Sequence, residues 1–221
     1  MKIGLNSLTV NNDITILNGV SALIDMYECS KPFYLEHKDV INKLDIPCDT
    51  MSSLITGTYD LHDTAGKKSF MHEFEETMQI AKDLGTTKLM FGLARYRTNI
   101  NDDALKFFDE LVDITNDNNL ILMYEAISPK LYTNKFICNH KELINYTDQH
   151  KLKGIHVDFG TILAENESFV EIAKQGNIIS IHFPFGEEDL SEVSGYNISI
   201  ENYTGNKLTY DDVIDYLLDI R

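Results

Sequence analysis

Four residues able to bind a metal each close a short apolar run in the second half of the chain. The runs are NLILMYEA, ending at Glu125, KGIHVDFG at Asp158, NIISIHFPFG at His182 and YNISIEN at Glu201. Each contains a stretch of β-formers four to eight residues long, as expected of a strand buried on both faces. If such strands run the same way, the four side chains meet at one rim. A set of three carboxylates and one imidazole suits Mn, Mg, Zn, Co or Fe(II). Three carboxylates converging without a cation or protons would repel one another. The plainer alternative stays open: a strand-end carboxylate is commonly solvated or caps a helix, and a histidine inside ISIHFPF commonly fills the core.

The elements that must position these residues follow from the pattern upstream. KIGLNS (2–7) reads as a strand, and Ile16, Val20, Leu23, Ile24 and Tyr27 recur at helical spacing. PFYLEH is expected to be a second strand ending at Glu36 and His37, and IPCDTMSSL a third ending near Ser52 and Ser53. Gly57 to Lys68 reads as a loop. From Ser69, the residues Phe70, Met71, Phe74, Met78, Ala81 and Leu84 share one helical face, with Gly85 as the stop. KLMFGL (88–93) is a fourth strand. A helix capped by Asn101 or Asp102 then buries Leu105, Phe108, Leu111, Val112 and Thr115 before the strand to Glu125. Helices are expected around Leu143 and Ile144, after a cap at Asn166, and after a capping box formed by Thr209 and Asp212. Only about 18 residues separate His182 from Glu201, where a full strand–helix unit takes about 30.

Eight strands alternating with helices imply an α/β fold with parallel strands, a (β/α)8 TIM barrel whose seventh helix is reduced or absent. An open doubly wound sheet would carry a glycine-rich first turn, and no glycine follows Leu5 until Gly19. The 221 residues form one domain, 1–221, since 43% hydrophobic content fills a single core. In a barrel, residues two apart share a face. If Glu125, Asp158, His182 and Glu201 point inward, so do Met123, His156, Ser180 and Ser199. The outward set is then Leu122, Ile155, Val157, Ile179, Ile181, Ile198 and Ile200, suited to packing under helices.

A formal charge of −16 argues against nucleic acid and anionic membrane surfaces as partners. No apolar run approaches the roughly 18 residues of a membrane span. The N-terminus lacks the apolar core of a signal peptide, and three cysteines without a CxxC fit a reduced, cytoplasmic setting.

The motifs YEA, VDFG, IHFPF and SIEN, in this strand order, resemble the xylose-isomerase-like barrels. These include sugar isomerases and epimerases, inosose dehydratases and endonuclease-IV-type enzymes. The resemblance implies a divalent metal, commonly Mn with Mg, Zn or Co as alternatives, held by Glu125, Asp158, His182 and Glu201. It also implies Glu125 and Glu201 as an acid/base pair acting through a cis-enediolate of a small carbohydrate or sugar phosphate substrate. Two departures stand out. Thr161 occupies the position where the family often has a histidine three residues after the aspartate, and GEEDLSEVSG lacks the histidines of a three-zinc endonuclease. An isomerase or epimerase is therefore the first expectation. An inosose-type dehydratase or a non-catalytic ligand-binding barrel are the alternatives, and homo-oligomerisation is left open.

Secondary candidates are Arg95 and Arg97 after the fourth strand, able to clamp an anionic group on a substrate, and His37 with Glu36 at the mouth. Each of these has a surface role as its alternative. His156 would brace a ligand from the layer below or pack as a core histidine. His62, His72, His140 and His150 read as loop or polar-face residues without a role.

Overall fold

A computed structural model describes residues 1–92, 96, 101–133 and 135–221. Arg95 and Arg97 lie outside the described residues. The strands are β1 (Lys2–Asn6), β2 (Met26–Ser30), β3 (Cys48–Ser52), β4 (Lys88–Phe91), β5 (Ile121–Tyr124), β6 (Ile155–Asp158), β7 (Ile178–Pro184) and β8 (Asn197–Glu201). All described pairings are parallel, in the order β5-β4-β3-β2-β1-β8-β7-β6. A single bridge between Glu125 and His156 joins the two end strands. The result is a nearly closed α/β barrel.

Around it lie α1 (Ile14–Gly19), α2 (Lys31–Ile41), α3 (Thr64–Asp83), α4 (Asp102–Asp117), α5 (His140–Gln149), α6 (Phe159–Glu165), α7 (Phe169–Gln175) and α8 (Tyr210–Asp219). No helix occupies the connection from β7 to β8, so the seventh helix is missing, as its length required. Instead, β6 and β7 are joined by two short helices, α6 and α7. Helix α3 buries Phe70, Phe74, Met78 and Ala81, and α4 buries Phe108, Leu111, Val112 and Thr115. Gly85 follows α3 with φ +72°, the left-handed step that ends helices cheaply only at glycine. The Thr209–Asp212 capping box opens α8, a feature worth about 1 kcal/mol. Among the described residues no helix is long and apolar enough to cross a membrane. Among the described residues Cys29, Cys48 and Cys138 form no disulfide.

Five expectations are corrected. The segment PFYLEH is not a strand but the first half of α2, and the second strand is MYECS, which ends at Ser30, two positions before it. The physical reason is Ser30: its side chain accepts from the Phe33 N–H, and Pro32 sits in the first turn, where its missing N–H costs nothing. Tyr27 therefore belongs to β2 rather than to a helical stripe. Asn166 does not open a helix: it ends α6 in the left-handed region, and Ser168 caps α7, which leaves Val170 exposed. Helix α3 begins at Thr64, capped by Asp63, so the preceding loop is shorter than read. His140 lies on a buried rather than a polar face of α5.

Candidate metal centre

The alternation of β5 to β8 decides which side chains enter the barrel. Met123, His156, Ser180, His182 and Ser199 are all buried, while Ile155, Val157, Ile181, Ile198 and Ile200 are buried among apolar neighbours in the hydrophobic core. The four strand-end residues do not form one ring, however. Glu125 bridges His156, Asp158 stands beside His182, and Glu201 stands beside Pro184, two residues beyond His182. This stagger comes from the tilt that closes a barrel. It splits the set into two trios that share His182. In each trio one candidate ligand atom per residue lies within 4.8 Å of the others: Asp158, His182 and Glu201 in one, Glu125, His156 and His182 in the other.

His182 is the hub. Its Nδ1 is 2.6 Å from Glu201 Oε2 and 3.9 Å from Glu125 Oε1, and its Nε2 is 2.8 Å from Glu28 Oε2. Glu28 is held in turn by Asn6 Nδ2, 3.0 Å from its Oε1. Burial disfavours charge on the ring, but Glu201 and Glu28 outweigh it and raise the His182 pKa well above the usual imidazole value. On Glu201 burial likewise opposes ionisation, and His182 overcomes it to hold the carboxyl below its ordinary value. The Nδ1 contact with Glu201 is close yet misaligned for a hydrogen bond, so Nδ1 has no hydrogen-bonding partner although it is buried.

Asp158 combines both readings. Its Oδ2 caps α6, accepting from the Thr161 N–H at 2.7 Å, and its Oδ1 accepts from the Tyr203 hydroxyl. A carboxylate offers about four lone-pair sites, which leaves capacity for a further partner. His140 braces it from behind: Nδ1 is 2.6 Å from Glu167 Oε2, and Nε2 accepts from the Asp158 N–H at 3.4 Å. Gly92 makes room for Glu125, because a Cβ there would stand 2.0 Å from Glu125 Oε2. Thr161, where the resembled pattern has histidine, instead ties loops together. Its hydroxyl donates to the Ala126 carbonyl at 2.9 Å and accepts from the Ser128 N–H at 3.2 Å.

His37 does not join this cluster. It sits at a kink in α2, with Nε2 3.1 Å from the Asn12 carbonyl, Glu36 at 3.8 Å and its ring edge-on to Phe33. The expectation that His37 and Glu36 end a strand at the mouth fails because that segment is helical. Sequence reasoning missed Glu28, His140 and Tyr203. Ser30 followed by Pro32 was the available sign that a helix starts there and that MYECS precedes it as a strand. Nothing local marks His140 or Tyr203.

No family model matches the chain, and no curated protein does. Solved structures do. A D-psicose 3-epimerase determined in the presence of D-fructose aligns with a TM-score of 0.74 at 14% identity, covering 100% of this chain and 96% of that one. The 3-keto-D-glucoside 4-epimerase of E. coli aligns at 0.70 and 14%, covering 100% and 97%. The probable 3-DHS dehydratase of Bacillus anthracis aligns at 0.72 and 12%, covering 99% and 98%. The chain has the fold of the xylose isomerase-like TIM barrels.

Proposed function

We propose that the chain is a divalent-metal-dependent isomerase or epimerase of a small sugar or sugar phosphate, with Glu125 and Glu201 as its proton-transfer pair. The observation that carries this is His182 Nδ1, a buried nitrogen that forms no aligned hydrogen bond and is set between the carboxylates of Glu125 at the end of β5 and Glu201 at the end of β8. Such a site suits a cation. Glu125, Asp158, His182 and Glu201 would hold it, with Mn, Mg, Zn or Co as the candidates. When bound, the ion would polarise a carbonyl and its adjacent hydroxyl and so acidify the C–H between them.

The protein's own groups supply the rest. Glu201 stands at the mouth as a carboxylate able to accept a proton. Glu125 and Glu201 retain 14% and 20% side-chain exposure, so both reach a substrate at the mouth. They stand at the ends of β5 and β8, with β6 and β7 between, which lets them approach a bound sugar from two sides. His182 is fixed by Glu28 and holds its position, and the Tyr203 hydroxyl orients Asp158. The structural similarity to two sugar epimerases supports this reading. A dehydratase that uses the same base to expel water is the second reading, supported by the similarity to the Bacillus protein. Three cysteines without a CxxC favour a reduced cytoplasmic setting.

Incubation of the metal-loaded protein with ketoses in deuterated water separates the two readings. Deuterium at the α-carbon of recovered sugar supports proton exchange. A product lighter by one water supports dehydration. Neither change, across a panel of ketoses and their phosphates, removes the catalytic proposal.

A further inference from the structure

One imidazole beside the centre is unexplained by the four-residue site. His156 is completely buried, lies level with Glu125 across the β5–β6 bridge, and places its ring centroid 4.1 Å from that of His182 at 76°. Its Nδ1 is 2.7 Å from Ser180 Oγ, and Ser180 Oγ donates onward to Met123 Sδ at 3.5 Å. A thioether sulfur can only accept. The serine proton is therefore directed at Met123, and the serine oxygen accepts from His156 Nδ1–H. That tautomer leaves Nε2 with an unshared lone pair, and Nε2 has no hydrogen-bonding partner although it is buried. A histidine serving only as core filling would avoid that cost.

The His156 ring is not isolated. A ring nitrogen of His156, one of His182 and an oxygen of Glu125 all lie within 4.8 Å of one another. Donors bound to one ion at about 2.1 Å stand up to about 4.2 Å apart, so small rotations of these side chains close the site. We infer that His156 Nε2 is a further ligand of the ion, giving the centre two imidazoles from adjacent strands and a preference for zinc or cobalt over magnesium. The inference rests on the metal-centre reading above and deepens it. Each added nitrogen donor favours these borderline ions, because magnesium takes oxygen donors and keeps its waters. The Ser180–Met123 chain is then the outer support that fixes the ligand's tautomer.

Untagged full-length protein loaded with Co(II) tests this by proton NMR in water. Each histidine bound to cobalt contributes one strongly shifted, solvent-exchangeable N–H signal. Two such signals are expected, from His182 Nε2–H and His156 Nδ1–H, both vanishing in deuterated water. One signal should remain in His156→Gln, with cobalt affinity reduced at least tenfold. A single exchangeable signal in the wild-type protein overturns the inference and leaves the four-residue centre standing. Failure of the wild-type protein to take up cobalt overturns both. Should His156→Gln fail to fold, the wild-type count alone decides.

Discussion

His182 Nε2 lies 2.8 Å from Glu28 Oε2, a contact between β7 and β2, three strand steps apart around the barrel. Both side chains are 2% exposed, so the contact is shielded from solvent. With Nε2 committed to Glu28, only Nδ1 faces Glu125 and Glu201. The pair has the form of the carboxylate–histidine support that fixes ligand orientation in metal centres.

Replacing Glu28 with Gln should lower the affinity for Mn(II) or Co(II) by roughly 10- to 100-fold. It should also cost about 1–3 kcal/mol of stability, from the weakened buried partner. Calorimetric titration and urea unfolding measure the two effects. Unchanged values of both would show that His182 is oriented by something else.

Glu125→Gln and Glu201→Gln should each reduce turnover by roughly 100- to 10,000-fold, the range of a lost general base. His182→Ala should chiefly weaken ion binding. Steady-state rates at saturating metal are the measurement. Full activity retained in both glutamine variants would end the acid/base assignment.

Gly92→Ala probes the space beside Glu125. The added methyl carbon would stand 2.0 Å from Oε2 of a side chain that can swing away. Folding should survive with a melting temperature close to that of the parent, while ion affinity falls at least about tenfold. Equal affinities in parent and variant would mean that Glu125 has another productive rotamer.

Glu73 ties the loop after β3 to α3. It accepts from Thr56 N, Thr56 Oγ1, Gly57 N, the Tyr59 hydroxyl and Lys31 Nζ. Burial alone would raise its pKa, but Thr56, Lys31 and Tyr59 bring it down to about 2. Because the folded value is depressed, the stabilisation is complete above the unfolded carboxyl range. It is lost as pH falls from about 4.5 toward about 2. Screening at the loop surface reduces the worth of this device to on the order of 2 kcal/mol. Glu73→Gln should remove that part of the acid sensitivity in chemical denaturation. An identical pH profile in the variant would contradict the assignment.

The second half of the barrel was readable because β5 to β8 show both a two-residue alternation and a polar residue at each end. The missing seventh helix was readable from chain length alone. The first half misled at MYECS, where a short strand runs directly into a helix. The apolar residues of the two elements merge there, and only Ser30 and Pro32 mark the junction. That error hid Glu28 and promoted His37. The stagger of Glu125, Asp158, His182 and Glu201 was invisible because register across strands is set by barrel closure, not by any local pattern. Tyr203 and His140 reach Asp158 from outside β6, which spacing cannot reveal.

The most direct test is an anomalous-difference map from crystals of the full chain soaked in Mn(II). A single peak should lie at the barrel mouth, within bonding distance of His182 Nδ1 and of carboxylate oxygens from Glu125, Asp158 or Glu201. A map with no peak beside His182 at saturating manganese would contradict the metal centre on which the proposed chemistry depends.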